Sequence, residues 1–273
     1  MTKAKRQIEE DIKLVDLVIE LLDARCPLSS RNPDIDSIAN NKSRMILLNK
    51  ADMADPDVTE SWQVFFEEKG LNICCVDARN SGDMKQINSV VRKACAKKIE
   101  RDRARGIKNR PVRAMVVGIP NVGKSTFINT FAKKAVAKTG NKPGVTKGKQ
   151  WIRLSNTLEL LDTPGILWPK FEDEKVGLNL ALIGSINDNI IDTEELAGEL
   201  IKILDESYPS AVKDFYGIGE TGLEEIARVR GCLKSGGRLD TLKAANILLE
   251  NFRNGKLGRI SLETLRDGGF ING

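Results

Sequence analysis

The sequence contains six apolar runs of strand length, and most of them are apolar at nearly every position. These runs are LVIELLD (17–23), RMILLNK (44–50), NICCVDA (72–78), RAMVVGI (113–119), QWIRLS (150–155) and LELLDTP (158–164). A strand that is apolar on both sides has to be buried on both faces. Helical patterns, such as DVTESWQVFFEEKG (57–70), lie between several of the runs. The sequence therefore predicts an α/β fold, with a mostly parallel sheet that carries helices on both faces.

The pattern changes near Phe171, after which strand-like runs stop and helical patterns continue. Two of these patterns have a start signal, at Asp192 and Thr221, because each is followed three residues later by a glutamate, as in a capping box. We expect two domains, a sheet-containing domain over residues 1–175 and an all-helical domain over residues 176–273.

Basic residues are concentrated in two segments, although the formal net charge is only +5. No acidic residue occurs from Thr126 to Leu158, and the segment from Arg92 to Arg113 contains only two acidic residues, Glu100 and Asp102. Such segments are typical of solvated helix faces. They are equally typical of surfaces that contact the phosphates of a nucleotide or of RNA, so both interpretations stay open.

The five cysteines are odd in number and no two have C-x-x-C spacing. Neither a disulfide framework nor a zinc site is indicated, which is consistent with a reducing cytoplasm. No apolar run approaches the roughly 18 residues that cross a membrane, and the basic N-terminal residues lead into an amphipathic helical pattern rather than a signal peptide. We expect a cytoplasmic protein without a membrane partner.

The stretch GIPNVGKS (118–125) matches the phosphate-binding pattern G-x-x-x-x-G-K-[ST] between an apolar strand and a helical pattern. In that context the N–H groups of the loop and of the helix N-terminus surround phosphate oxygens. We expect Lys124 to contact the β and γ phosphates and Ser125 to hold Mg²⁺. The predicted nucleotide-binding residues of this loop are Asn121, Val122, Gly123, Lys124, Ser125 and Thr126.

The stretch LLNKAD (47–52) places N-K-x-D at the end of an apolar run. The carboxylate of Asp52 can accept from the ring N1–H and the exocyclic amine of guanine, two donors that adenine does not offer together. Asn49 can bond the N7 edge, and the stem of Lys50 can lie against the base. By itself Asn-Lys is often only a turn. Beside a phosphate loop it predicts guanine recognition by Asn49, Lys50, Ala51 and Asp52.

Two further segments complete the predicted GTP site. VDARNSG (76–82) is a weaker guanine element, in which Asp77 and Ala78 lie at the base and the Ala78 N–H bonds its oxygen. DTPG (162–165) places Asp162 to hold Mg²⁺ directly or through water, and the N–H of Gly165 to sense the γ-phosphate.

Upstream of DTPG, Thr146 in NKPGVTKGK is a candidate to complete the coordination of the metal when the γ-phosphate is present. The alternative is an ordinary polar loop residue. The predicted catalytic residues are Lys124, Thr146 and Gly165.

The order of these segments differs from that of an ordinary GTPase, because the guanine elements at 49 and 77 precede the phosphate loop at 118. A circular permutation preserves the sheet, since it needs only joinable termini and surface loops that can be opened. It also brings the γ-phosphate segment close to the helical domain in sequence, so that a local change in order can be transmitted there.

The permuted order and five stretches resemble the circularly permuted GTPases of the YlqF family. The stretches are LLDARCPLSSRNP, LLNKAD, GIPNVGKST, GVTKGKQW and LDTPGILWPK. The resemblance implies a GTPase that binds precursors of the large ribosomal subunit, acts in late assembly and leaves after hydrolysis. We expect a monomer. Hydrolysis is then slow without the subunit, and the helical domain helps to contact ribosomal RNA. The resemblance also implies a potassium ion held by Asn121, although that residue can instead merely shape the loop.

Two features leave the group that positions the hydrolytic water unassigned. Ile166 follows DTPG where many GTPases have a glutamine, and an isoleucine cannot orient water. Similar proteins begin with a few more residues that end in Pro-Gly-His-Met, whose histidine is a proposed catalytic group, whereas this chain contains no histidine. We expect residues to be missing before Met1.

Two other functional classes stay open from the sequence. One is an RNA-binding module whose nucleotide site is only structural. The other is a GTPase that assists a separate RNA-modifying enzyme, which is disfavoured because no second catalytic constellation is evident in the sequence.

Overall fold

The computed structural model describes residues 3–107, 110–139, 151–161, 173–186 and 191–265. Six strands form one sheet, at the positions that the apolar runs predict. They are β1 (Leu17–Asp23), β2 (Ser43–Asn49), β3 (Asn72–Val76), β4 (Val112–Val117), β5 (Trp151–Ser155) and β6 (Leu158–Leu161). Their order is β3-β2-β1-β4-β6-β5. All neighbouring strands are parallel except β5 and β6, which are antiparallel. The predicted mostly parallel sheet is confirmed.

Helices lie between the strands and continue after the sheet. They are α1 (Lys3–Asp11), α2 (Ile35–Ile38), α3 (Pro56–Glu68), α4 (Met84–Ala94), α5 (Ala96–Ala104), α6 (Lys124–Thr139), α7 (Glu174–Leu182), α8 (Thr193–Ser207), α9 (Ala211–Tyr216), α10 (Leu223–Val229) and α11 (Thr241–Arg253). From residue 173 onward the described residues contain helices and no strand of the sheet, as the sequence predicts. None of the described helices is long and apolar enough to cross a membrane.

One of the two predicted helix starts is confirmed and the other is wrong. Helix α8 is capped by Asp192, whose carboxylate accepts from the backbone N–H groups of Glu194 and Glu195. Helix α10 is instead preceded by Gly222, and no side chain caps it. The hydroxyl of Thr221 instead donates to the carboxylate of Asp205 at 2.6 Å.

The central strand β1 is buried along its whole length. Its side chains alternate between the two faces of the sheet, as they do in any strand. Ile19 and Leu21 lie in a large apolar cluster on one face, whereas Val18 packs in a separate cluster with Ile8 and Ile12 near the N-terminus. The sheet is thus covered on both faces.

The large cluster on one face of β1 also includes buried residues of the C-terminal helices, for example Leu200 of α8 and Leu248 of α11. The sheet and the helical part therefore bury apolar surface in one continuous core. The predicted domain boundary between residues 175 and 176 therefore does not correspond to a break in this core, and it remains a proposal about function.

Candidate functional site

The carboxyl ends of four parallel strands meet at one edge of the sheet. Strand β1 ends at Asp23, β2 at Asn49, β3 at Val76 and β4 at Val117. In parallel α/β sheets, ligands bind outside this edge. Because each predicted nucleotide-binding segment follows one of these strands, the topology brings residues 49–52, 77–82 and 118–125 together.

The phosphate loop between β4 and α6 depends on close backbone packing. A Cβ atom at Gly118 would lie 2.7 Å from the carbonyl oxygen of Leu21. Gly123 has φ +98°, and a Cβ atom there would clash with the side-chain nitrogen of Asn49. Asn121 also adopts the left-handed region, with φ 63°. These conformations turn the loop directly into the N-terminus of α6 at Lys124, a geometry suited to binding an anion.

The side chain of Asn49 connects the three segments. Its Nδ2 donates to the carbonyl oxygen of Val122 at 2.6 Å, and its Oδ1 accepts from the backbone N–H of Ala78 at 2.8 Å. Asn49 is 2% exposed and Val122 is fully buried. In this structure, both ends of the amide and the Ala78 N–H are engaged within the protein rather than directed to a base. The arrangement holds the guanine segments against the phosphate loop.

Lys50 adds a second connection along the same edge. Its backbone has φ 60°, in the left-handed region. Its Nζ donates to the carbonyl oxygen of Asn121 at 2.8 Å and lies 2.9 Å from the carboxylate of Asp23. The ammonium group therefore spans from β2 to the phosphate loop.

Asp23 and Arg25 form a buried ion pair that sequence reasoning did not assign to the site. The Arg25 guanidinium bonds both carboxylate oxygens of Asp23, at 2.9 and 2.8 Å, and Arg25 and Asp23 are 1% and 0% exposed respectively. Burial alone raises the pKa of Asp23, but the charges of Arg25 and Lys50 outweigh it and hold that pKa well below its usual range. The sequence signal for this pair is a charged residue at the end of a buried strand followed two positions later by an arginine, in LLDARCP.

A second acidic group lies at the exposed side of this edge. Arg79 donates to the carboxylates of Asp52 and Asp77, with 2.9 Å between its Nε and Asp77 Oδ1. Hydrogen bonds from Arg79 hold the pKa of Asp77 below its usual value. The side chain of Asp52 is 37% exposed, so its carboxylate is accessible at the sheet edge.

The predicted metal ligands are only partly within the described residues. Ser125 is exposed in the first turn of α6, and its hydroxyl is the hard oxygen donor that Mg²⁺ prefers. Thr146, Asp162, Gly165 and Ile166 lie outside the described residues. Among the residues that the structure does describe, no group of three or more His, Cys, Asp or Glu could hold a metal. A magnesium ion bound here would be coordinated by the hydroxyl of Ser125 together with oxygens of the nucleotide's phosphates.

The turn after α7 lies against the phosphate loop. The side-chain nitrogen of Asn121 donates to the carbonyl oxygen of Gly184, and the hydroxyl of Ser185 donates to that of Pro120 at 2.7 Å. The amide oxygen of Asn121 has no hydrogen bond to any of the described residues, so it could serve as the predicted potassium ligand. The same contacts connect the helical part of the chain directly to the nucleotide site.

Comparison with known proteins agrees with this architecture. A family described as 50S ribosome-binding GTPase matches residues 113–215, a range that begins at the strand before the phosphate loop. Ribosome biogenesis GTPase A of Bacillus cereus is 47% identical, over 97% of this chain and 91% of its own length. The protein of that name from Thermotoga maritima is 35% identical, over 97% of this chain and 92% of its own length.

A solved structure of the same kind extends the agreement to three dimensions. The crystal structure of GNP-bound YlqF from T. maritima matches with a TM-score of 0.71 at 32% identity, covering 96% of this chain and 98% of that chain. The predicted fold class, a circularly permuted P-loop GTPase domain followed by a helical region, is confirmed.

Proposed function

This chain belongs to the family of ribosome biogenesis GTPase A, and from that premise we propose that it hydrolyses GTP as an assembly factor in late maturation of the large ribosomal subunit. The observation that carries the proposal is the Asn49 connection, which joins the phosphate loop to both guanine segments through Val122 and Ala78. A site assembled in this way supports binding of one guanine nucleotide across the whole sheet edge.

The proposed roles follow the chemistry of each side chain. Lys124 and the loop N–H groups bind the phosphates, and Asp52 recognises the base. Ser125, Thr146 and Asp162 hold the metal. A bound Mg²⁺ neutralises charge that develops on the phosphate oxygens.

Other groups are proposed to contact the γ-phosphate and to position the hydrolytic water. Gly165 is the proposed γ-phosphate sensor, and a potassium ion on the amide oxygen of Asn121 is the proposed additional cation. Because Ile166 has no polar group, we propose that the ribosomal particle supplies or orders the group that positions water. Hydrolysis is then slow in the isolated protein and faster on the particle.

The proposed partner is a precursor of the large subunit and its RNA, contacted in part by residues 176–273, with GTP favouring binding and hydrolysis favouring release. The contacts of Asn121 and Pro120 with the turn at residues 184–185 support this assignment, because they give the phosphate loop a direct connection to the helical part. We propose a cytoplasmic monomer.

The test measures GTP hydrolysis and co-sedimentation with immature large-subunit particles. We expect particles to raise the rate by about tenfold or more, a modest gain for a GTPase completed by its partner. Lys124→Ala should abolish GTP-dependent co-sedimentation and hydrolysis. Lys85→Ala, an exposed lysine on α4, is the matched control and should behave as the wild type.

Equal rates with and without particles would contradict the assembly role. If Lys124→Ala hydrolyses GTP and co-sediments with particles as the wild type does, the result would instead support an RNA-binding protein whose nucleotide site is only structural.

A further inference from the structure

The chain returns to the nucleotide site after α11. Residues 259–263, here called the C-terminal strap, cross the loop that follows β2. Within the strap, the N–H of Leu262 donates to the carbonyl oxygen of Arg25 at 2.7 Å. The carbonyl oxygen of Glu263 accepts from the indole nitrogen of Trp62 at 3.1 Å. The strap is therefore seated on the sheet-containing part of the chain.

Arg259, at the start of the strap, bonds the backbone beside the guanine-recognising carboxylate. Its Nε donates to the carbonyl oxygen of Ala54 at 2.9 Å, and its Nη2 donates to that of Ala51 at 3.0 Å. Ala51 is the third residue of the N-K-A-D stretch and directly precedes Asp52. One guanidinium thus fixes the loop on both sides of Asp52, with charge-assisted hydrogen bonds.

The next two strap residues bond the rest of that loop. The N–H of Ile260 donates to the carbonyl oxygen of Met53 at 2.9 Å. The hydroxyl of Ser261 accepts from the N–H of Asp55 at 3.1 Å. The strap therefore bonds the backbone of residues 51, 53, 54 and 55 and leaves out only Asp52, whose partly exposed carboxylate bonds Arg79.

The far end of the strap is anchored by a buried carboxylate. Glu263 is 7% exposed, and its carboxylate accepts from the backbone N–H groups of Leu28 and Ser29 at 2.8 and 2.9 Å. The side-chain nitrogen of Asn179 on α7 donates to it at 3.2 Å. An anchor with this many donors holds the strap in one register on the loop.

We propose that the C-terminal strap sets guanine specificity, with Arg259 as the positioning residue for Asp52. The inference rests on the proposed assignment of Asp52 to the guanine base. Recognition of guanine requires the carboxylate of Asp52 to reach both the ring N1–H and the exocyclic amine. It therefore depends on the orientation of the loop and not only on the presence of the carboxylate. The helical part of the chain thereby contributes to base selection, at the opposite end of the nucleotide from the γ-phosphate.

The test compares the dissociation constants of GDP and of inosine diphosphate, which lacks the exocyclic amine, for the full chain. The wild type should prefer GDP, and Asp52→Asn should remove that preference. Arg259→Ala should weaken GDP binding about tenfold and inosine diphosphate binding only about twofold, because the hydrogen bond to the amine is the one lost. Arg259→Lys should restore part of the preference. Ser261→Ala, a second strap variant, should also reduce the preference for GDP over inosine diphosphate.

The control is Arg238→Ala, since Arg238 is exposed and its side chain has no hydrogen bond or ion pair among the described residues. It should leave both affinities unchanged. If Arg259→Ala weakens both nucleotides equally, Arg259 is merely structural and the proposal is overturned. If the wild type shows no preference, or Asp52→Asn keeps it, the guanine assignment itself fails and the strap proposal fails with it.

Discussion

Asp23 shows how the site keeps a charge that is fully removed from water. A buried carboxylate is costly unless it is paired and hydrogen-bonded. Here Arg25 contacts both oxygens and Lys50 lies 2.9 Å away. Lys50 also reaches the phosphate loop, so the charge of Asp23 fixes a cation at the nucleotide edge. The ion pair is thus part of the support of the site.

We expect Asp23→Asn to lower the free energy of unfolding by about 3 kcal/mol at neutral pH, because it leaves Arg25 buried without its partner. The folded pKa of Asp23 lies below the ordinary value of 3.8. Its stabilising contribution is therefore complete above that value and is lost as the pH falls through the folded pKa. Urea unfolding of the wild type and of Asp23→Asn should give a difference in the free energy of unfolding that is largest near pH 7 and becomes smaller below about pH 4.

The matched control is Asp214→Asn, an exposed aspartate in α9, which should change stability little at either pH. A difference for Asp23→Asn that stays constant with pH would contradict the ion-pair explanation.

The residues of the site were predictable only where their type and spacing encode chemistry. Lys50 and Asn49 follow from the N-K-x-D pattern beside a phosphate loop. The partners of Asn49 did not follow from it, since Val122 lies 73 positions further along the chain. Such a contact depends on how β2 and β4 are placed on either side of β1, which no local pattern specifies.

At the scale of elements, local sequence predicts strands well because burial on both faces leaves a continuous apolar run. All six predicted strands are present, whereas the antiparallel pairing of β5 with β6 and the order of the sheet arise from tertiary packing. Helix starts are less secure. Asp192 and Thr221 have equal sequence signals, but only Asp192 caps its helix, whereas Thr221 lies one residue before the N-cap Gly222 and donates to Asp205.

This difference predicts unequal effects of two alanine substitutions. Asp192→Ala should lower the free energy of unfolding by about 1 kcal/mol, since two N–H groups at the start of α8 lose their acceptor. Thr221→Ala should cost about 0.5 kcal/mol or less, because it removes one exposed side-chain hydrogen bond and no cap. Both losses can be measured by urea unfolding, as shifts of the midpoint while the slope of the free energy of unfolding against urea concentration stays constant. Equal losses would indicate that Thr221 caps α10 after all.

At the scale of the molecule, the GTPase part and the helical part are joined by packing as well as by sequence. The apolar core extends from β1 to α11, and the ring of Phe252 lies 5.2 Å from the guanidinium of Arg25. The circular permutation was evident from the order of motifs. The attachment of α11 and the strap to the nucleotide edge was not, because the residues involved are ordinary apolar and polar types with no diagnostic spacing.

A shared core should unfold in one step. We expect calorimetry to give equal calorimetric and van't Hoff enthalpies, and GDP to raise the Tm of that single transition. Phe252 is 2% exposed, so Phe252→Ala should lower stability by about 3 kcal/mol and the Tm by roughly 10 °C while the transition stays single. Two transitions, of which only one responds to GDP, would mean that the helices fold independently of the sheet. In that case α11 could not hold the strap against the guanine loop, and the coupling of base recognition to the helical part would be lost.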